Sequence, residues 1–306
     1  MSFSSEAKAE LCRVNRRKKC CAVAECYGAL LYCNSFTPRE IRVMTGSADF
    51  AALLPRLFRR AFGVSFDRLP EQARPGARGT LLITDAEKIA TVFRAFGMEP
   101  DDTVTLHINL GVLENDCCKA SFVRGAFLAG GSITDPAKRY HLELATNHAA
   151  VSREMSALLV ELGFEPGSAR RGASWLTYFK QSEAIADFLT TAGADVSALE
   201  IMSARVEKDM RNEINRKVNC DTANADKTVA AAQEQLAAIR ALERAQGLGS
   251  LPEGLQQAAL LRIANPEASL ADLAALSAPP VSKSCLSHRL KRLVTLSREA
   301  GEGAGG

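Results

Sequence analysis

The sequence predicts an α+β N-terminal domain made of two pseudo-symmetric α/β repeats, followed by an all-α C-terminal domain. Two observations carry this. One helical segment is written twice, as "CCAVAECYGALLYCNSFT" at 20–37 and "CCKASFVRGAFLAGGSIT" at 117–134. Without a gap the copies agree at Cys20/Cys117, Cys21/Cys118, Gly28/Gly125, Ala29/Ala126, Leu31/Leu128, Ser35/Ser132 and Thr37/Thr134. The second observation is a compositional change near residue 220, after which alanine-rich helical segments end in a short helix, a tight turn and a basic helix. The 306 residues leave room for two domains, at roughly 100–200 residues each.

Each copy of the repeat spaces apolar and small residues three and four apart, the helical period. Small residues recur one turn apart at matching places, Ala29 and Cys33 in the first copy and Ala126 and Gly130 in the second. A single glycine inside a helix is a tolerated cost of about 1 kcal/mol. The same glycine in both copies, Gly28 and Gly125, predicts two helices whose backbones approach closely.

The segments after each helix also correspond. "REIRVMTG" alternates apolar and polar residues as a strand does, and "ADFAALLPRLFRRAFG" reads as a helix. "RGTLLITD", "AEKIATVFRAFG" and "TVTLHINL" continue as strand, helix and strand, and "GVLEND" connects to the second copy. There "RYHLELAT" and "SWLTYFK" read as strands, with "AAVSREMSALLVELGF" and "SEAIADFLTTAG" as helices. The repeats are expected at about 15–110 and 115–205, inside a domain spanning 1–220, with the two lead helices meeting on a pseudo-twofold axis.

"GALLYCNS" and "GAFLAGGS" resemble the signature helix of the LAGLIDADG homing endonucleases. Over nearly its whole length, with "FVRGAFLAGGSITDP", "YHLEL" and a C-terminal helix-turn-helix, the chain is similar to the WhiA family of bacterial sporulation and cell-division regulators. The resemblance implies curved β-sheets that lie on DNA and an acid near the end of each signature helix that holds a divalent metal. Such a cation wants carboxylate oxygens. The matching positions here are Cys33 and Gly130, and neither carries one. Asn34 and Gly131 beside them do not replace it, and Asp135 follows a turn-like segment. The expectation is a protein that is not an enzyme, on a scaffold that has lost its catalytic residues.

Composition narrows the classes further. A net charge of +3 requires any nucleic-acid role to come from local basic patches. The charged N-terminus has no signal-peptide pattern, and no apolar run approaches a membrane span. Nine cysteines without a targeting segment suggest reduced thiols in the cytoplasm. Zinc sites are sought as paired short spacings. Cys117 and Cys118, being adjacent, are expected on different sides of a helix, and Cys26 and Cys33 have no histidine at useful spacing. No cofactor and no metal are expected, the thiols packing as small apolar groups. His107 and His141, each in a strand-like segment, read as ordinary satisfied side chains.

The C-terminal domain is expected at 221–306. "NRKVNCDTANADK" is polar and turn-rich and suggests a link between the halves. "TVAAAQEQLAAIRALERAQG" is a helix closed at Gly247, and "LQQAALLRIANP" is a helix stopped before Pro266. "SLADLAALS" follows with Ser269 as its N-cap, then the turn "APP", then "VSKSCLSHRLKRLVTLSREA" with Ser282 as cap. The last two form a helix-turn-helix at about 269–302. On the final helix Leu286, Leu290 and Leu293 make the buried stripe, and residues 282–298 contain no acid.

A recognition helix reads base edges mainly through its N-terminal half, which points to Ser284, Ser287 and His288. Lys283, Arg289 and Arg292 are placed to grip phosphates, Lys291 suits either task, and Arg298, further along on the face opposite the buried stripe, is a further DNA-contact candidate. A second basic cluster, Arg16, Arg17, Lys18 and Lys19, precedes the first signature helix and offers an auxiliary DNA contact or a solvated surface. The expected partner is double-stranded promoter DNA, at the nucleoid in the cytoplasm, in transcription regulation and with no membrane. The alternative is an N-terminal platform for RNA polymerase or another regulator, and the resemblance further implies a C-terminal module like the promoter-reading part of sigma factors.

Overall fold

The computed structural model describes residues 2–15, 18–70, 78–100 and 105–303. They form two compact units, 1–209 and 210–306.

The first unit opens with α1 (Phe3–Arg13), which buries Phe3, Ala7 and Leu11 and is capped by the Ser2 hydroxyl. The sequence reading found only charge here, because three apolar residues among polar ones make a narrow stripe. The first signature helix is α2 (Lys19–Leu31), followed by antiparallel β1 (Ser35–Phe36) and β2 (Ile41–Thr45). Helix α3 (Ala48–Phe62) is capped by Ser47 and ends at Gly63, whose φ of 73° places it in the left-handed region. Next come β3 (Gly79–Ile83), which pairs with β2, and α4 (Ala86–Ala95).

The second signature helix, α5 (Asp116–Gly130), leads into β4 (Gly131–Ile133), β5 (Leu142–Thr146) and α6 (Ala149–Glu161). The hairpin β6 (Gly167–Arg171) and β7 (Ser174–Phe179) precedes α7 (Ser182–Ala192). The strands form two antiparallel sheets, ordered β1-β2-β3 and β4-β5-β7-β6. Strand β6 carries almost no buried side chain, so it lacks the apolar alternation that would announce it.

Helices α2 and α5 pack on each other more extensively than any other pair of elements, and their residues lie in one continuous apolar core. A Cβ on Gly28 would stand 2.0 Å from the Phe122 carbonyl oxygen, and one on Gly125 would stand 2.0 Å from the Glu25 carbonyl oxygen. The two contacts are repeat-equivalent: each glycine faces the backbone three residues before its counterpart.

One expected strand is corrected. Residues 105–109 of "TVTLHINL" are not a strand, and a 3-10 turn follows at Leu110–Val112. The groups that would have formed a ladder are taken by side chains. The Tyr27 hydroxyl donates to the His107 carbonyl at 2.6 Å and accepts from the Asn109 N–H at 2.9 Å. The Glu154 carboxylate accepts from the Ile108 N–H at 2.6 Å and pairs with His107 at 2.7 Å. His107 is thus a satisfied side chain, as expected.

The expected turn-rich link is also corrected. Residues 215–227 are helical, within α8 (Asp195–Gln246). Asparagine, aspartate and threonine favour turns where the backbone has no better partner, but helical neighbours on both sides carry the i→i−4 ladder through them.

The second unit is all helical: the end of α8, then α9 (Glu253–Ala264), α10 (Leu270–Leu276) and α11 (Lys283–Gly303). Its core joins Ile239 and Leu242 of α8 to Leu273 of α10 and Leu286, Leu290 and Leu293 of α11. Arg262, only 1% exposed, ties these helices together. Its guanidinium donates to the Gln235 side chain at 3.0 Å and to the Ala268 carbonyl at 2.7 Å, and burial pulls its pKa below the usual arginine value.

Ser269 and Asp272 form a reciprocal capping box at the start of α10. Ser269→Ala is expected to lower the stability of this unit by about 1 kcal/mol, read as a lower urea midpoint with an unchanged slope. A change within measurement error would refute the cap's contribution.

Candidate nucleic-acid interface

The geometry of α11 follows from its period. Leu286, Leu290 and Leu293 are buried, which turns Ser284, His288, Lys291, Arg292, Thr295 and Arg298 to solvent. The Ser282 hydroxyl accepts from the Cys285 N–H at 3.2 Å and lies 3.0 Å from the Ser284 hydroxyl. Between α10 and α11 the Ser277 hydroxyl donates to the Ala274 carbonyl at 2.8 Å and accepts from the Val281 N–H at 2.9 Å, so one side chain shapes the turn.

The predicted contacts fall into three groups. Lys283, Ser284, His288 and Lys291 are exposed and have no acidic partner among the described residues. Ser287 and Arg289 stand on the shoulders of the helix, half-buried. The Arg289 guanidinium lies over Gly254 of α9, where a Cβ would come within 3.3 Å of its Cζ. Arg292 and Arg298 are already engaged, with Glu299 at 3.4 Å and Glu234 at 2.7 Å. Exposed pairs of this kind contribute about 0–1 kcal/mol, so a phosphate competes readily for both arginines.

In the first unit the expected acid positions end their helices differently. Cys33 lies two residues beyond α2, its thiol donates to the Ser35 carbonyl at 3.2 Å, and burial pushes its pKa up to about 12. Gly130 is the last residue of α5. A Cβ there would stand 2.6 Å from the Ala145 carbonyl oxygen and 2.9 Å from the Tyr32 ring, so the position has no room for any side chain.

The outer sheet face around β5 carries mixed charge. Arg171 pairs with Glu143 at 2.8 Å and His141 lies 3.2 Å from the same carboxylate. Burial pushes the Glu143 carboxyl up, but those two partners together hold it below its ordinary value. Of the N-terminal basic cluster, Lys18 and Lys19 are exposed at the start of α2, while Arg16 and Arg17 lie outside the described residues.

The cysteines depart from expectation. Cys20, Cys21, Cys117 and Cys118 bring their Sγ atoms within 4.8 Å of one another. Adjacent cysteines were expected on different sides of a helix; instead the two sulfurs of each pair lie within this distance of each other and of the other pair, across the α2–α5 contact. A spacing rule applied along the chain misses a cluster assembled from two copies of a repeat. The repeat itself was the available signal.

Sequence reasoning also missed a buried ion pair between the signature helices. Glu25 is 1% and Arg124 is 6% exposed. Arg124 reaches the Glu25 carboxylate through Nε at 3.1 Å and Nη2 at 3.0 Å, and donates to the Ala192 carbonyl and the Ser121 hydroxyl. The two residues are not repeat-equivalent, so the duplication did not mark them. Among the described residues no helix is long and apolar enough to cross a membrane.

Comparison with known proteins agrees with this architecture. The family model for the WhiA LAGLIDADG-like domain matches residues 119–211, and that for the WhiA C-terminal HTH domain matches residues 214–297. The chain is 35% identical over 300 residues to the "Probable cell division protein WhiA" of Ruminiclostridium cellulolyticum, covering 96% of each chain. It is 37% identical over 304 residues to the protein of that name from Desulforudis audaxviator, again covering 96% of each. The crystal structure of full-length DUF199/WhiA from Thermatoga maritima superposes with a TM-score of 0.59 at 25% identity, covering 98% of this chain and 99% of that one. The chain therefore belongs to the WhiA family, with its LAGLIDADG-like domain followed by its helix-turn-helix domain.

Proposed function

We propose that this chain is a sequence-specific, double-stranded DNA-binding transcription regulator of sporulation or cell division, acting on promoter regions at the nucleoid in the cytoplasm. The observation that carries this reading is the outward face of α11, where exposed Lys283, Ser284, His288 and Lys291 stand over a buried leucine stripe. We place the reading domain at 221–306. Ser284, Ser287 and His288 are the candidates for base edges, while Lys283, Arg289, Arg292 and Arg298 grip phosphates and Lys291 serves either. Lys18 and Lys19, with Arg16 and Arg17, are the auxiliary contact.

Lys291→Ala with Arg292→Ala removes up to two phosphate contacts. Measured by gel shift across a salt series, the dependence of log affinity on log salt becomes shallower by about 2 if both ends are lost. An unchanged slope and affinity would remove α11 from the interface.

The first unit, on the same reading, does not cleave DNA. Supporting this, Cys33 offers a thiol held protonated by burial, and Gly130 has no space for a carboxylate. Supercoiled plasmid incubated with the protein and Mg²⁺ or Mn²⁺ is expected to remain supercoiled. Nicked or linear product that chelator abolishes would overturn this.

A second reading makes the first unit a platform for RNA polymerase or another regulator. The sheet face around β5 is compatible with it, because its charge is mixed, with Glu143 paired to Arg171 and His141, and is not a uniformly basic surface.

A further inference from the structure

We propose that Cys20, Cys21, Cys117 and Cys118 bind one tetrahedral divalent ion of the zinc class, which clamps the N-terminal ends of α2 and α5 together. Soft thiolates select zinc-type ions, and four protein ligands with no open position make a structural rather than a catalytic site.

The geometry suits a single ion. Tetrahedral coordination with Zn–S of about 2.3 Å sets the sulfurs about 3.8 Å apart, and the four Sγ atoms already lie within 4.8 Å of one another. Closing the remaining gap of about 1 Å takes small side-chain rotations. The site also obeys the symmetry of the unit. Cys20 corresponds to Cys117 and Cys21 to Cys118, so each repeat contributes one cysteine pair from the first turn of its signature helix.

The surroundings leave the cluster open to an ion. Neither helix start has a side-chain cap, and the cysteines sit in the first turn of each helix, the positive end of its dipole. Lys18 adds positive charge there. Thiols that served only as apolar filling would all be buried, yet Cys20 is exposed and Cys117 half-exposed, which leaves an entry path for the ion.

The step involves no oxidation. Four S–H groups release four protons to water, the hydrated ion gives up its waters, and four sulfur–metal bonds form. The ion's two positive charges offset half of the four thiolates, and Lys18 adds positive charge beside Cys117.

The test uses the full chain, purified without chelator in a phosphine reductant. Expected are about one zinc per chain by mass spectrometry of the elements and, after exchange into cobalt chloride, intense thiolate-to-cobalt charge-transfer bands with the pattern of tetrahedral Co²⁺. Cys20→Ser, at the exposed ligand, is expected to keep the fold and weaken metal binding at least about tenfold. Cys220→Ser and Cys285→Ser, at cysteines of the second unit outside the cluster, leave binding unchanged. Three results would overturn the proposal: folded wild-type protein that takes up neither zinc nor thiolate-bound cobalt, binding insensitive to both Cys20→Ser and Cys117→Ser, or the four cysteines found as disulfides while reductant is present.

Discussion

Replacing Gly28 or Gly125 with alanine is expected to cost the first unit more than about 3 kcal/mol. Added methylenes in a packed core cost about 1–3 kcal/mol where neighbouring side chains can move. Here the obstacle is backbone: the new Cβ would lie 2.0 Å from a carbonyl oxygen at either site, and 2.9 Å from the Ala126 nitrogen in the case of Gly28. A carbonyl inside a helix cannot swing aside without breaking its own ladder. The helices must separate, and separation loosens the Ala29 and Ala126 contacts in the same layer. In a unit of this size the melting temperature should fall by about 6–12 °C. Gly46→Ala is the control, since a Cβ there meets nothing within 4 Å. A Gly28→Ala protein melting within about 2 °C of the unmodified chain would show that the helices do not touch as described.

Breaking the Glu25–Arg124 pair from one side is expected to have the next largest effect. Glu25→Leu leaves the Arg124 guanidinium beside the 1%-exposed site with only neutral partners, Ala192 and Ser121. Removing one partner of a buried pair costs about 3–5 kcal/mol, whereas replacing both with apolar groups of similar volume is often neutral. Glu25→Leu with Arg124→Met should therefore be more stable than either single variant, which requires a coupling in the double-mutant cycle larger than the cost of one single substitution, at least about 3 kcal/mol. Additive losses across the cycle would mean that the two charges do not depend on each other.

Local pattern made much of this protein legible. A glycine repeated at the same place in two helices implied a close approach, because only a glycine admits one. The leucine spacing on the last helix fixed which of its faces is buried, and Ser269 and Ser282 announced helix starts through hydroxyls that cap them. The absence of carboxylates at Cys33 and Gly130 was readable directly, although the fact that no side chain fits at Gly130 was not.

Other features depended on partners distant in sequence. Residues 105–109 have strand composition, but Tyr27 and Glu154 take their backbone groups. Strand β6 is polar and exists because β7 offers it a ladder. The segment 215–227 has turn composition and is helical because its neighbours are. Arg262 is an ordinary helix residue until Gln235 and the Ala268 carbonyl surround it.

The sequence by itself determined the duplication, the pairing of the lead helices, the absence of a carboxylate at Cys33 and Gly130 and the basic outward face of α11. Each of these rests on residue type and period, which are local quantities. The tertiary structure alone decided that Glu25 meets Arg124 and that four cysteines from two repeats share one point, because both are contacts across a helix interface roughly a hundred residues apart in the chain. Periodicity tells which face of a helix turns inward. It carries no information about which side chain of another helix that face will meet.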